Sequence, residues 1–378
     1  MPDYSEHTLS ILGLLRDRHN VLISGPPGTG KSRLLSEVAR AFEGTAPTGP
    51  VHVPGAAVAI PKTPPVSGQL KGLLPSPGKT NRKVFRTVFH QNSKYRDFLT
   101  GLVPVVGTKA AGGGTTFRIV AGTLFRASEH ARAKDGASLL IIDEINRGPA
   151  VQVFGGSIVA IESDKRLALD GTPRLETQFF EITAPDSGDL VEYALPHHLY
   201  ILAAMNQADT SVEPLDVAFL RRWTPFRLDP SPAVLRSYFH LPASPPPGPL
   251  ADTPTSPQDV YEAAARAWSA VNARIRLGRG PEFQIGHGVL MARGSAAASV
   301  DEALQDAAES WRLIRAHVDE VFFGDVRGIA AVLNVGSFDG HPYKLEDSTF
   351  ADEPRLELVG PEAVTSKGVF SLLRAVAG

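Results

Sequence analysis

Three groups of residues in this chain carry side chains suited to handling phosphate. The first is Gly25-Pro26-Pro27-Gly28-Thr29-Gly30-Lys31-Ser32. Its glycines let the backbone turn N–H groups inward with no Cβ in the way. Lys31 is placed to reach the β- and γ-phosphates, and the Ser32 hydroxyl to ligate Mg2+. The run from Gly25 to Arg33 is therefore the expected nucleotide-binding set. The second group is Asp143-Glu144. Asp143 is suited to hold Mg2+, directly or through water, and Glu144 to orient and polarise an attacking water. The third is Asn206, suited to contact that water or the γ-phosphate. Phosphoryl transfer needs positioning and charge neutralisation more than covalent help, and this set supplies both.

The elements that must hold these groups are legible around them. Val21-Leu22-Ile23 reads as a buried strand before the glycine loop, and Arg33 to Arg40 has the apolar spacing of a helix after it. The N-terminus of that helix adds partial positive charge where phosphate would sit. A glycine turn that binds nothing is the alternative, and the strand, helix and Lys-Ser pair together argue against it. Ser138 to Glu144 is a continuous apolar run ending in two carboxylates, as a fully buried parallel strand reads. Leu199 to Asn206 is a third such run. Ligands in open α/β sheets bind at the carboxyl ends of the strands, where these polar residues fall.

Further along, residues 5–18 predict a helix capped by Ser5, and Val84 to Gln91 alternates as a strand does. Gly112-Gly113-Gly114 before Thr116–Val120 suggests a loop and hairpin, and a weak strand is possible at Val51–Val53. Residues 122–134, 152–163 and 216–223 predict helices, the last closing on Arg221-Arg222. Two long helical patterns, 258–276 and 299–322, flank Phe283-Gln284-Ile285-Gly286-His287. Stretches 44–83 and 230–257 hold 17 of the 31 prolines and so mark a surface insertion and a linker. The expected organisation is an α/β nucleotide-binding core at 1–229, a linker at 230–257, and a smaller, mostly helical domain with a tail at 258–378.

The chain has no cysteine, which excludes disulfides, zinc-thiolate sites and thiol catalysis. No apolar stretch approaches a membrane span and no secretory leader is evident, so a cytoplasmic location is expected. One helix precedes the glycine loop, so a recognition domain is expected on another chain. Between Gly44 and Ala127 a single acid, Asp97, stands against eleven bases. Such asymmetry suits nucleic acid or an acidic partner, and a solvated surface balanced elsewhere is the alternative. The basic run from Lys62 to Arg86 is the candidate contact surface. No second carboxylate cluster of the kind a metal-dependent nuclease needs is evident, the acidic stretch Glu346–Glu353 reading as solvated surface.

Ile141-Ile142-Asp143-Glu144-Ile145-Asn146-Arg147, Met205-Asn206-Gln207-Ala208-Asp209 and Leu215-Asp216-x-Ala218-Phe219-Leu220-Arg221-Arg222 resemble the AAA+ class in its dynein-related branch. Phe89-His90-Gln91, Tyr95-x-Asp97-Phe98-x-x-Gly101-Leu102-x-Pro104 and Ile285-Gly286-His287 narrow the resemblance to the McrB family, motor subunits of modification-dependent restriction systems. The resemblance runs with interruptions from about residue 10 to 325. It implies a P-loop AAA+ core with a parallel sheet between helices and a helical lid domain. It also implies a ring, hexameric in the family, with ATP or GTP hydrolysed at each subunit junction. Arg221 and Arg222 match the arginines that reach a neighbour's γ-phosphate, and His287 falls in the lid segment that faces the nucleotide. A McrC-like nuclease partner and DNA, met directly or through a partner, are the implied associates. MoxR-type AAA+ chaperones share the Asp-Glu-Ile-Asn-Arg stretch and are the alternative. The sequence departs from the McrB pattern at Gln207 and Thr210, where that family carries Thr and Arg.

Overall fold

The computed structural model describes residues 4–44, 70, 72–106, 115–208, 215–336, 340–361 and 364–378. The weak strand at Val51–Val53, the Gly112–Gly114 loop, Thr210, Asp209 and most of the 44–83 insertion lie outside these. Two units divide the chain. One comprises Met1–Ser24 with Lys31–Arg227, and the other Gly25–Gly30 with Leu228–Gly378.

The first unit begins with α1 (Glu6–Arg18), whose Ser5 cap accepts the Thr8 N–H at 3.3 Å and whose Ile11, Leu12 and Leu15 are buried. β1 (Asn20–Gly25), α2 (Lys31–Glu43) and β2 (Asn81–Val88) follow. After α3 (Tyr95–Phe98) come β3 (Thr100–Val106) and β4 (Thr115–Ala121), an antiparallel hairpin as expected. The unit continues through α4 (Thr123–Arg132), β5 (Gly136–Asp143), α5 (Ala150–Phe154), α6 (Ser157–Ala160), and the hairpin of β6 (Phe180–Thr183) and β7 (Leu190–Tyr193). It ends with β8 (Leu199–Asn206), α7 (Val217–Leu220) and β9 (Thr224–Arg227).

Five strands form a central parallel sheet in the order β2-β5-β8-β1-β9. Its middle strands are buried from end to end: β5 from Gly136 to Ile142 and β8 from Leu199 to Ala204. That explains their unbroken apolar runs. Phe89 and Phe98 pack edge-to-face at 5.4 Å, and Phe154 joins Phe98 at 4.8 Å and Phe219 at 5.3 Å. The aromatics of the Phe-His-Gln and Tyr-x-Asp-Phe stretches thus serve the core, and His90 and Gln91 are exposed.

Two elements differ from expectation. The helix expected over 152–163 is two short pieces, because Gly155 takes φ +49 and a Cβ there would lie 2.7 Å from the Tyr95 ring. β9 was not foreseen: it has four residues and contains Pro225, which only an edge strand accommodates.

At the amino-terminal end of the sheet, buried His19 stacks on Tyr200 at 5.0 Å and meets His197 edge-on at 4.7 Å. Fully buried Arg166 donates to the Ile161 and Leu199 carbonyls and, at 2.6 Å, to Asn20 Oδ1. Burial, then the charges of Arg166 and His197, push His19 down to about 2. Burial and His198 push His197 down to about 4.

The second unit holds α8 (Pro232–Tyr238), α9 (Pro257–Gly278), α10 (Val300–Val321), α11 (Val326–Val332), a hairpin of β10 (Lys344–Phe350) and β11 (Glu353–Val359), and α12 (Ser366–Ala377). Ser256 and Asp259 form a reciprocal capping box at the start of α9. Trp268 and Trp311 centre the core, where Arg236 and Glu262 pair at 2.8 Å. Arg274 donates to the Val332 and Val376 carbonyls, tying α9 to the ends of α11 and α12. The acidic stretch 346–353, expected as solvated surface, lies mostly in this hairpin's paired strands and is mostly exposed. Among the described residues no helix is long and apolar enough to cross a membrane.

Candidate functional site

β5 and β8 are neighbours and run parallel, so Asp143 and Asn206 finish at the same edge of the sheet. Immediately after β5 the chain turns sharply. Glu144 adopts left-handed backbone, φ 52 and ψ 45, and its N–H bonds Asp143 Oδ1 at 3.0 Å. A non-glycine residue in that conformation is strained by about 1–2 kcal/mol. Three side chains hold the turn. Asn206 Nδ2 donates to Glu144 Oε1 at 2.8 Å, and Arg147 Nε donates to Glu144 Oε2 at 3.2 Å. Asn146 Nδ2 in turn donates to the Asn206 carbonyl at 2.9 Å, which cross-links the two strand ends.

Lys31 opens α2 and is half-buried. Burial pushes its ammonium down to about 8, against the opposing pull of Glu144 and Asp143. Ser32 and Arg33 are exposed on the same first turn.

The loop from Gly25 to Gly30 belongs to the second unit. Gly28 and Gly30 take φ +77 and +89, which a side chain would disfavour. Buried Thr29 folds its hydroxyl back onto the Pro26 carbonyl at 2.9 Å. His287 lies in the same unit, where its Nδ1 accepts the Ser231 N–H at 3.3 Å. A neutral imidazole so bonded carries its proton on Nε2.

The structure therefore brings Lys31, Asp143, Glu144 and Asn206 together in the first unit. It does not add Arg221 and Arg222 to them. Arg221 is exposed at the end of α7, and Arg222 pairs with Glu162 at 3.0 Å and donates to the Ala218 carbonyl. Gln207 is exposed in the turn after β8. Sequence reasoning missed Arg147 and Asn146 as site residues. Spacing offered a partial signal for Arg147 alone, three residues beyond Glu144, and its approach still depends on the left-handed turn at Glu144.

Residues 67–223 match a family described as AAA domain (dynein-related subfamily). Over these residues the chain is similar to dynein-related AAA domains. The match includes Asp143, Glu144, Asn206, Arg221 and Arg222 and begins after the glycine loop. Two curated relatives are similar to the chain. The Type IV methyl-directed restriction enzyme EcoKMcrB subunit of Escherichia coli K12 is 25% identical over 222 residues, 58% of this chain and 38% of that protein. The Type II restriction enzyme BsuMI component YdiS of Bacillus subtilis 168 is 28% identical over 226 residues, 57% of this chain and 59% of that protein. The chain thus matches about two-fifths and three-fifths of the length of these relatives. Among solved structures, C. elegans PCH-2 aligns over 98% of this chain and 66% of its own, at 11% identity and a TM-score of 0.29. The parallel sheet, flanked by helices, is the α/β core that the sequence implied.

Proposed function

We propose that this AAA domain hydrolyses ATP or GTP with Mg2+ as the motor subunit of an McrBC-like restriction or antiviral defence system. The observation that carries the reading is the Glu144 carboxylate, held from both sides by Asn206 and Arg147 beside Lys31 and Asp143. A carboxylate fixed in this way can orient a water and take its proton with little reorganisation. Lys31 supplies charge to the phosphates, and the loop N–H groups supply hydrogen bonds.

Asp143 and Ser32 offer hard oxygen donors of the sort Mg2+ takes. Among the described residues no group of three or more His, Cys, Asp or Glu gathers as a metal site. Mg2+ commonly relies on one or two protein oxygens and otherwise on phosphate and water. When bound, the ion neutralises charge on the phosphates. Arg221, exposed on α7, is the better candidate to act on a neighbour's nucleotide in a hexameric ring, since Arg222 is engaged with Glu162. His287 is a further candidate contact to the nucleotide.

The relatives' names, a restriction enzyme subunit and a restriction enzyme component, support a restriction role; a McrC-like nuclease as partner, and DNA met by this chain or through that partner, belong to the proposal. The test is phosphate release by the purified chain with and without DNA, together with partner capture by the Glu144→Gln variant. DNA-stimulated hydrolysis and capture of a nuclease support the reading. Hydrolysis indifferent to DNA, with capture of a protein substrate instead, would favour the MoxR-like chaperone.

A further inference from the structure

The lid segment that carries His287 also grips the glycine loop by its backbone. Within the second unit, the Gly286 N–H donates to the Pro27 carbonyl at 3.0 Å and the Gly288 N–H to the Gly28 carbonyl at 2.9 Å. With the Thr29 hydroxyl on the Pro26 carbonyl, three successive loop carbonyls are held.

The grip also sets the opposite side of the loop. A trans peptide is planar, so its C=O and the next residue's N–H point in opposite directions. The described chain has no cis peptide. Fixing the Pro27 and Gly28 carbonyls toward the lid segment therefore turns the Gly28 and Thr29 N–H groups away from it. These are the N–H groups a phosphate would need.

The lid segment is itself anchored. The Ile285 N–H bonds Asn272 Oδ1 at 2.7 Å, and the Ile285 carbonyl accepts from Trp268 Nε1 at 3.0 Å and Asn272 Nδ2 at 2.9 Å. His317 Nε2 meets the Phe283 carbonyl at 2.7 Å. Asn272 and Trp268 sit in the core of α9 and are nearly inaccessible to solvent. Only glycine fits at the contact. Gly286 has φ −64 and ψ 152, which any residue adopts, so its backbone alone does not require glycine. A Cβ there would lie 2.0 Å from the Gly28 carbonyl carbon and 2.4 Å from the Pro27 oxygen. At Gly288 a Cβ would lie 2.9 Å from the Gly28 oxygen, a milder conflict.

We propose that Gly286 and Gly288 are positioning residues that preset the glycine loop for anion binding, by holding its carbonyls so that its N–H groups face the phosphates. The inference rests on the nucleotide-binding reading above. It makes the lid core, through Asn272 and Ile285, part of the phosphate site without touching phosphate.

The test is isothermal titration of the full chain with ATP, GTP and inorganic tripolyphosphate, alongside melting of the nucleotide-free protein. The variants are Gly286→Ala and Gly288→Ala, with Gly368→Ala as control, since a Cβ at Gly368 meets nothing within 4 Å. Misaiming two charge-assisted hydrogen bonds should weaken nucleotide and tripolyphosphate alike by ~30-fold or more in Gly286→Ala. Gly288→Ala should show a smaller loss, with melting close to wild type, and Gly368→Ala none. Wild-type tripolyphosphate affinity in a folded Gly286→Ala protein would overturn the inference. If that variant does not fold, Gly288→Ala decides alone: weaker tripolyphosphate binding at unchanged melting temperature supports the inference, and unchanged binding overturns it. A wild-type chain that binds none of the three ligands would instead remove the nucleotide reading, and the inference with it.

Discussion

Lys31 makes the phosphate site testable by pH alone. Burial lowers its folded-state value to about 8 from 10.5, with Glu144 and Asp143 opposing the shift. A bound polyphosphate sits beside the ammonium and favours its charged form, so binding must draw a proton onto any neutral Lys31. Phosphate groups are already ionised above neutral pH, which leaves the lysine as the titrating member of the pair. With a value near 8, the protonated fraction falls from roughly nine-tenths at pH 7 to one-tenth at pH 9. Nucleotide affinity should therefore fall about tenfold across that interval. Titration calorimetry at pH 9 in two buffers of different ionisation enthalpy should register uptake approaching one proton per nucleotide. An affinity that is flat from pH 7 to pH 9, with no proton uptake, would refute the placement of Lys31 against the phosphates.

Three further outcomes are expected. Asn206→Ala and Arg147→Ala each remove a hydrogen bond to the Glu144 carboxylate, an interaction of about 1.5–3 kcal/mol. Each should cut kcat by roughly 10- to 150-fold with little change in nucleotide affinity, as steady-state phosphate release would show. His19, pushed down to about 2, stays neutral when folded and takes a proton near pH 6.5 when unfolded. Stability should therefore fall as pH drops below 6.5, by about 2 kcal/mol at pH 5 from this residue. His19→Asn, which tolerates the left-handed φ of 67 there, should remove this share of the dependence in urea melts at pH 7.5 and pH 5, leaving the share of His197. Arg221→Ala should lose most turnover, since such arginines are worth roughly 10³–10⁵ in rate. Mixing it with Lys31→Ala should restore part of the activity, and no recovery in rings that exchange subunits would place Arg221 in cis.

The candidate site's edge of the sheet was legible because the strands that build it are buried on both faces. Leu139–Ile142 and Leu199–Ala204 are apolar there, so the first polar residues after them mark the strand ends. The glycine loop was legible because its backbone tolerates few side chains. What was not legible depends on tertiary approach. Arg147 reaches Glu144 only because Glu144 turns left-handed, and Gly286 looks like any glycine until Pro27 and Gly28 stand against it. β9 escaped notice because an edge strand of four residues with Pro225 carries no periodic signal. The helix expected at 152–163 had its warning in Gly155-Gly156, which apolar spacing on either side concealed.

If Glu144 acts on water while nucleotide affinity comes from elsewhere in the site, removing its basicity must separate turnover from binding. The decisive measurement is turnover of ATP and GTP by the wild-type chain and by Glu144→Gln, with nucleotide affinity measured on the same preparations. Glutamine keeps the hydrogen-bonding shape toward Asn206 but cannot take a proton. The predicted result is nucleotide affinity near that of wild type and turnover reduced by about 100-fold or more, as loss of a general base and its charge entails. Turnover close to wild type in Glu144→Gln would contradict the role given to this carboxylate.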